Sequence, residues 1–301
     1  MRLSFPGRRS TELKDYRGAS GASGGGMGLP IGVGAGLGIP GIIIAIVLTL
    51  VFGGNPLGGG GSGYGVDQPF QQFPSADQLP EQPIPREIDP NAATVDFVSV
   101  VLDDVQASWA QEFQASGQSY EPAHLILFTD AIASGCGQAS AATGPFYCPA
   151  DGNVYLDIAF FDELSQRFGA PGDFAQAYVI AHELGHHVQQ LTGISAQVDK
   201  QVRSHPDQTN ALSVRVELQA DCLAGVWGYT AAQRGLLEPG DVDEGLAAAA
   251  SVGDDRIQKA TTGRIDPETW THGSAAQRSS WFKRGFDGGN PDNCDTFSGN
   301  I

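Results

Sequence analysis

DFAQAYVIAHELGHHVQQL, residues 173–191, is the stretch on which the reading of this chain turns. It follows Pro171-Gly172 and is closed by Gly193, so it predicts a helix over 173–191, N-capped by Asp173. His182 and His186 stand at i and i+4, on one helical face a turn apart, where both imidazoles reach a single Zn2+. Glu183 points to the flank of that face, placed to take a proton from a metal-bound water instead of ligating the metal. His187 lies about 100° further round and is not expected to be a ligand.

A hydrolytic zinc site uses three protein ligands and keeps one position open. In the pattern H-E-x-x-H-x-x-G-x-x-H, positions 189 and 192 would be Gly and His; here they are Gln189 and Thr192, so the third ligand lies elsewhere. The candidate is Glu217 in ELQAD, residues 217–221. Glu217 and Asp221 are again i and i+4, on a second expected helix over 211–233. One carboxylate can ligate while the other accepts a hydrogen bond from the far nitrogen of a ligand histidine. Glu217 is assigned to the metal and Asp221 to that supporting bond. The competing reading, two solvated charges on an acidic protein, remains open at this point.

Outward from these helices, Phe97, Val101, Val105 and Trp109 form a stripe that predicts a helix over 94–115. Residues 124–128 and 153–161 read as strands, 242–251 as a further helix, and the glycine-rich tail from Trp281 as irregular. The class is α+β. With 41% hydrophobic and 17% charged residues among 301, the chain can build a core. A net charge of -17 argues against nucleic acid as partner, since phosphate binding needs clustered Lys and Arg. Of the 4 cysteines, Cys136 and Cys148 flank a short loop and form the natural local pair, leaving Cys222 with Cys294. A cysteine zinc site lacks any C-x-x-C spacing.

The first part of the chain obeys other rules, holding 20 of the 41 glycines before residue 66. Arg2, Arg8, Arg9, Lys14 and Arg17 precede a stretch from Gly18 to Val66 with no charge. Residues 31–53 would make a helix of about 34 Å, enough to cross a hydrocarbon core of about 30 Å. The expected organisation is a cytoplasmic tail over 1–30, a transmembrane helix over 31–53, a Gly/Pro/Gln-rich linker over 54–90 and a metal-binding domain over 91–301. The positive-inside rule then places the N-terminus in the cytoplasm and the domain outside the cell membrane. A cleaved signal peptide is the competing reading.

HELGHH (182–187) with ELQAD resembles the zinc peptidases whose third ligand is a glutamate. More narrowly, the chain is similar to the bacterial neutral zinc metallopeptidase family through RRSTELKDYRG, CGQASAATGPFYCPADGNVYLD, AHELGHHVQ, VELQADCLAGVW, GDDRIQ and THGSAAQRSSWFKRGF. The resemblance spans nearly the whole chain. It implies a zincin-like fold, one zinc ion and hydrolysis of peptide bonds, with substrate along an edge strand that residues 153–161 would supply. In that chemistry Glu183 is the general base, and His272, with Tyr229 behind it, is the candidate second donor to the developing oxyanion. His272 reads equally well as structural, and His124, His205 and Asp254 receive no role. The expectation is a membrane-anchored zinc endopeptidase acting on peptide or protein substrates. The alternative is a membrane-tethered metal-binding interaction module without hydrolytic activity, which would have no need of Glu183.

Overall fold

LILF at 125–128 is apolar at every position because both faces of that strand are covered, as in the middle of a parallel sheet. The computed structural model describes residues 1–18, 80–140 and 143–301. Strand β2 (Leu125–Phe128) lies between β1 (Leu13–Asp15) and β6 (Asn153–Asp157), parallel to both, and β5 (Phe146–Cys148) runs antiparallel on the far side of β6. Leu125 is in register with Leu13 on one side and Val154 on the other. A separate hairpin joins β3 (Ala131–Ser134) to β4 (Gly137–Ser140).

Helices carry the rest of the fold: α1 (Ala92–Ala115), α2 (Ala159–Gln166), α3 (Asp173–Leu191), α4 (Ile194–Ser204), α5 (Thr209–Gln233), α6 (Asp241–Ser251), α7 (Asp254–Thr262) and α8 (Ala275–Gly288). The expected stripe on α1 is buried at Val101, Val105 and Trp109, where Val98 and Leu102 join it, with Phe97 only partly covered. Helix α3 packs between α1 and α5, and α5 packs along α8. The last contact is close because two glycines face each other's backbones. A Cβ at Gly225 would stand 2.0 Å from the Phe282 carbonyl oxygen, and one at Gly285 1.9 Å from that of Cys222. The pairs Cys136–Cys148 and Cys222–Cys294 are both disulfide-bonded.

Four local expectations are corrected. Residues 153–161 do not form one strand: β6 stops at Asp157, whose carboxylate accepts the Ala159 N–H at 3.0 Å and starts α2, so Phe161 enters the core from a helix. Strand β6 is also internal, so the edge on that side is β5. Gly172, at φ 122, is the N-cap of α3, and Asp173 is its first helical residue. The tail from Trp281 is α-helical as far as Gly288 and irregular only beyond it, apart from a short 3-10 turn over Pro291–Cys294. Ser274 and Gln277 form a capping box that opens α8, and Trp281 and Phe282 are buried on it.

Residues 1–18 are not a detached tail. Leu13 is buried in the core through β1. Arg17, 3% exposed, lies between Asp15 and Asp89 at 2.7 Å from each. Arg9 bonds Asp96 at 2.9 Å. The chain leaves at Gly18, whose N–H donates to the Gln82 carbonyl at 3.0 Å, and Gln82 N–H donates to Asp15 at 3.1 Å. The last part of the expected linker, residues 80–90, therefore belongs to the folded body. Residues 19–79, and with them the expected transmembrane helix over 31–53, lie outside the described residues. Among the described residues no helix is long and apolar enough to cross a membrane. Gly18 and Gln82 are in backbone contact, so they share one side of any bilayer.

Two measurements check this arrangement. Arg17→Ala leaves the buried Asp15 and Asp89 with only the longer ion pairs to Arg9, at 3.8 and 3.9 Å, and should destabilise the fold by up to about 3–5 kcal/mol in urea unfolding. Cysteines placed at exposed Ser4 and exposed Glu268 should be labelled by an impermeant reagent from the same side of the cell membrane. Labelling from opposite sides would show that β1 does not pair with β2.

Candidate metal centre

Helices α3 and α5 cross where Gly185 meets Ala220. A Cβ at Gly185 would come within 3.1 Å of the Ala220 carbonyl oxygen, so only a bare Cα lets the two helices lie this close without adjustment. The crossing sets His182 and His186 against Glu217. Their ligand atoms lie within 4.8 Å of one another. His182 Nε2 is 3.2 Å from one Glu217 oxygen and His186 Nε2 is 3.6 Å from the other. Bonds of about 2.0–2.1 Å to a tetrahedral Zn2+ put neighbouring ligand atoms about 3.3 Å apart, so this triad has the dimensions of three corners of a zinc site.

The outer nitrogens of both imidazoles are already committed. His182 Nδ1 meets Asp221 at 2.9 Å, the supporting bond assigned to it from spacing alone. His186 Nδ1 meets Gln189 Oε1 at 2.8 Å, and the Gln189 amide donates to the Val216 carbonyl and to Gln219. The Nε2 atoms are thus left to face the metal position. Asp221 is fully buried, takes a hydrogen bond from Tyr178, and is gripped by both arms of Arg278 at 2.8 and 2.9 Å.

Electrostatics follow from this packing. Burial opposes the imidazolium of His182, but Asp221 and Glu217 outweigh it and raise its proton affinity to about 10 in the metal-free protein. Burial likewise opposes the charge on Glu217, yet the imidazoles of His186, His182 and His272 hold it well below the usual carboxylate range. Glu217 is therefore an anion ready to ligate.

The triad opens into a cavity of about 220 Å³ that Glu183 lines beside His182 and His186. Glu183 makes no hydrogen bond or ion pair with any described side chain, so its carboxylate is free to act in the cavity. Phe160, Leu164, Phe168 and Val179 contribute apolar wall, and residues of β5 another part. His272 also lines it. Its Nδ1 is held by Asp254 at 3.0 Å, and the other Asp254 oxygen accepts the backbone N–H groups of Thr271, His272 and Gly273. Burial opposes a charge on His272, but Asp254 raises its pKa above the ordinary value, which favours a ring that donates from both nitrogens.

Sequence reasoning passed over Gln189, Asp254, Tyr178 and Arg278. Gln189 was legible, being i+3 from His186 on the same face. Tyr178, four residues before His182 on the same helix, was legible as well; Asp254 and Arg278 were not, because nothing local links them to the motif. Tyr229 does not stand behind His272 but lies against Gly289. His187 is no ligand: its Nε2–H donates to the Glu121 carbonyl at 2.7 Å and its Nδ1 accepts from Tyr147. A second group, Asp173, Asp241 and Glu244, is all carboxylate and lies at the start of α3 and α6, away from this cavity.

Fold and site together define an α+β protein with a two-histidine, one-glutamate group that could hold a metal, divided between crossed helices. The chain belongs to the family described as "Putative neutral zinc metallopeptidase", whose model matches residues 4–297. It is 44% identical to the uncharacterized protein YpfJ of Escherichia coli (strain K12) over 304 residues, 99% of this chain and 100% of that one. It is 50% identical to the uncharacterized protein Rv2575 of Mycobacterium tuberculosis (strain ATCC 25618 / H37Rv) over 190 residues, 60% of this chain and 64% of that one. No solved structure matches.

The geometry makes metal uptake a proton-releasing event. At about pH 8, below the pKa near 10 of His182, zinc binding to the metal-free protein should release about one proton. Calorimetry in buffers of different ionisation enthalpy reads this directly. Zero release would show that His182 is not the group the metal displaces a proton from.

Proposed function

We propose that this protein is a zinc-dependent endopeptidase in which Glu183 acts as general base. The observation that carries the reading is the free Glu183 carboxylate lining the same cavity as His182, His186 and Glu217. A purely structural metal site would have no use for it. Zinc held by His182, His186 and Glu217 would supply Lewis acidity, making a bound water acidic and a peptide carbonyl electrophilic.

The chain's own groups do the rest. Glu183 takes the proton of the attacking water and returns it to the departing amine. His272, oriented by Asp254, donates a hydrogen bond to the carbonyl oxygen as negative charge grows there. Because β6 is internal, an extended substrate would lie along β5, whose residues Phe146 and Tyr147 line the cavity. Two disulfides support a domain that works in an oxidising compartment outside the cytoplasm. The pairing of β1 with β2 supports residues 1–18 lying on that same side. Membrane attachment through residues 31–53 rests on their apolar composition.

Glu183→Gln should abolish cleavage of a broad peptide library while one zinc per chain is retained. His272→Asn should lower kcat by about 100- to 1000-fold with zinc content unchanged. If the parent protein binds zinc yet cleaves nothing, the metal-binding module is the correct reading.

A further inference from the structure

Arg278 is a buried cation in the wall of the candidate centre, in contact with Asp221 and Glu217, and nothing in the peptide-hydrolysis scheme uses it. It comes from α8, is 3% exposed, and reaches between α3 and α5. Its Nε meets one Asp221 oxygen at 2.8 Å and its Nη2 the other at 2.9 Å, a two-pronged grip that a point charge cannot reproduce. The same Nη2 lies 3.2 Å from the Tyr178 hydroxyl, 3.4 Å from His182 Nδ1 and 3.8 Å from a Glu217 oxygen. Nη1 lies 3.4 Å from the Val252 carbonyl. Asp221 in turn holds His182 Nδ1.

We propose that Arg278 is a positioning residue of the metal centre: its fork fixes the Asp221 carboxylate so that Asp221 holds the His182 ring with Nε2 aimed at the metal position. Two features argue for geometry over bulk charge. A positive charge this close to the triad repels a divalent cation, so attraction cannot be its purpose. Asp221 has Tyr178 as a second neutral donor, so the acid is not short of hydrogen bonds. What the guanidinium adds is direction, since two parallel bonds lock the plane of the carboxylate and hence the plane of the imidazole it holds. Removing such outer support from a ligand histidine ordinarily weakens metal binding by about 10- to 100-fold.

The inference rests on the zinc reading of the triad but not on catalysis, and the test separates the two. Zn2+ affinity of the full chain is measured by competition with a chromophoric chelator for the parent, Arg278→Lys, Arg278→Gln, Asp221→Asn and the double variant Arg278→Lys/Asp221→Asn. Co2+ absorption spectra report the ligand geometry of each. Arg278→Lys keeps the charge and should still lose about 10- to 100-fold in affinity with an altered Co2+ spectrum. Its loss should not add to that of Asp221→Asn, because both break one link. Affinity of Arg278→Lys within threefold of the parent, or losses that add, would overturn the proposal, whatever happens to thermal stability. If neither Arg278 variant folds, Arg278 is a structural residue and the proposal is overturned as well. A parent that binds no zinc refutes the metal reading itself.

Discussion

Everything at the candidate centre depends on one helix crossing. Gly185 sits inside the HELGHH motif, yet its role is not chemical: it lets α3 settle onto Ala220 of α5. That contact converts two separate i, i+4 patterns into one triad, with His182 and His186 from α3 and Glu217 from α5. A methyl group at 185 would press on the Ala220 carbonyl, which would have to give by a few tenths of an ångström. The sheet, α1 and the α5–α8 contact hold the crossing from outside.

Such a site concentrates charge where burial makes charge costly. Glu217, Asp221, His182 and Arg278 are all nearly inaccessible, and each would be unstable alone. They are tolerable together because each carboxylate faces a cation or a polarised imidazole. Asp221 illustrates the balance, bound at once by His182, Tyr178 and Arg278. A similar arrangement, Arg17 between Asp15 and Asp89, fastens the N-terminal residues to the same body. Both networks join segments remote in sequence, so they fix tertiary geometry more than local structure.

What the sequence disclosed follows from that distinction. The helix bounds 173–191, the triad and the Asp221–His182 bond were legible because each is a relation between residues four apart or a motif of known chemistry. Both cysteine pairings were legible from spacing. Asp254 and Arg278 were hidden because they meet the site only through the fold. The helical nature of α8 was missed because its glycines suggested a loop. The capping signal at Ser274 and Gln277 pointed the other way, and Gly285 proves to be a packing residue. The packing of the N-terminal residues was not legible either. Their basic composition beside an uncharged apolar stretch reads as a cytoplasmic flank, whereas Leu13, Arg9 and Arg17 are folded into the domain.

The central claim is that two histidines and a glutamate from crossed helices grip one zinc ion. A crystal of the zinc-loaded protein, with anomalous differences recorded on both sides of the zinc edge, tests it most directly. The account predicts a single peak bounded by His182 Nε2, His186 Nε2 and the Glu217 carboxylate, with Glu183 beside it. No peak there, or a peak only among Asp173, Asp241 and Glu244, would contradict it.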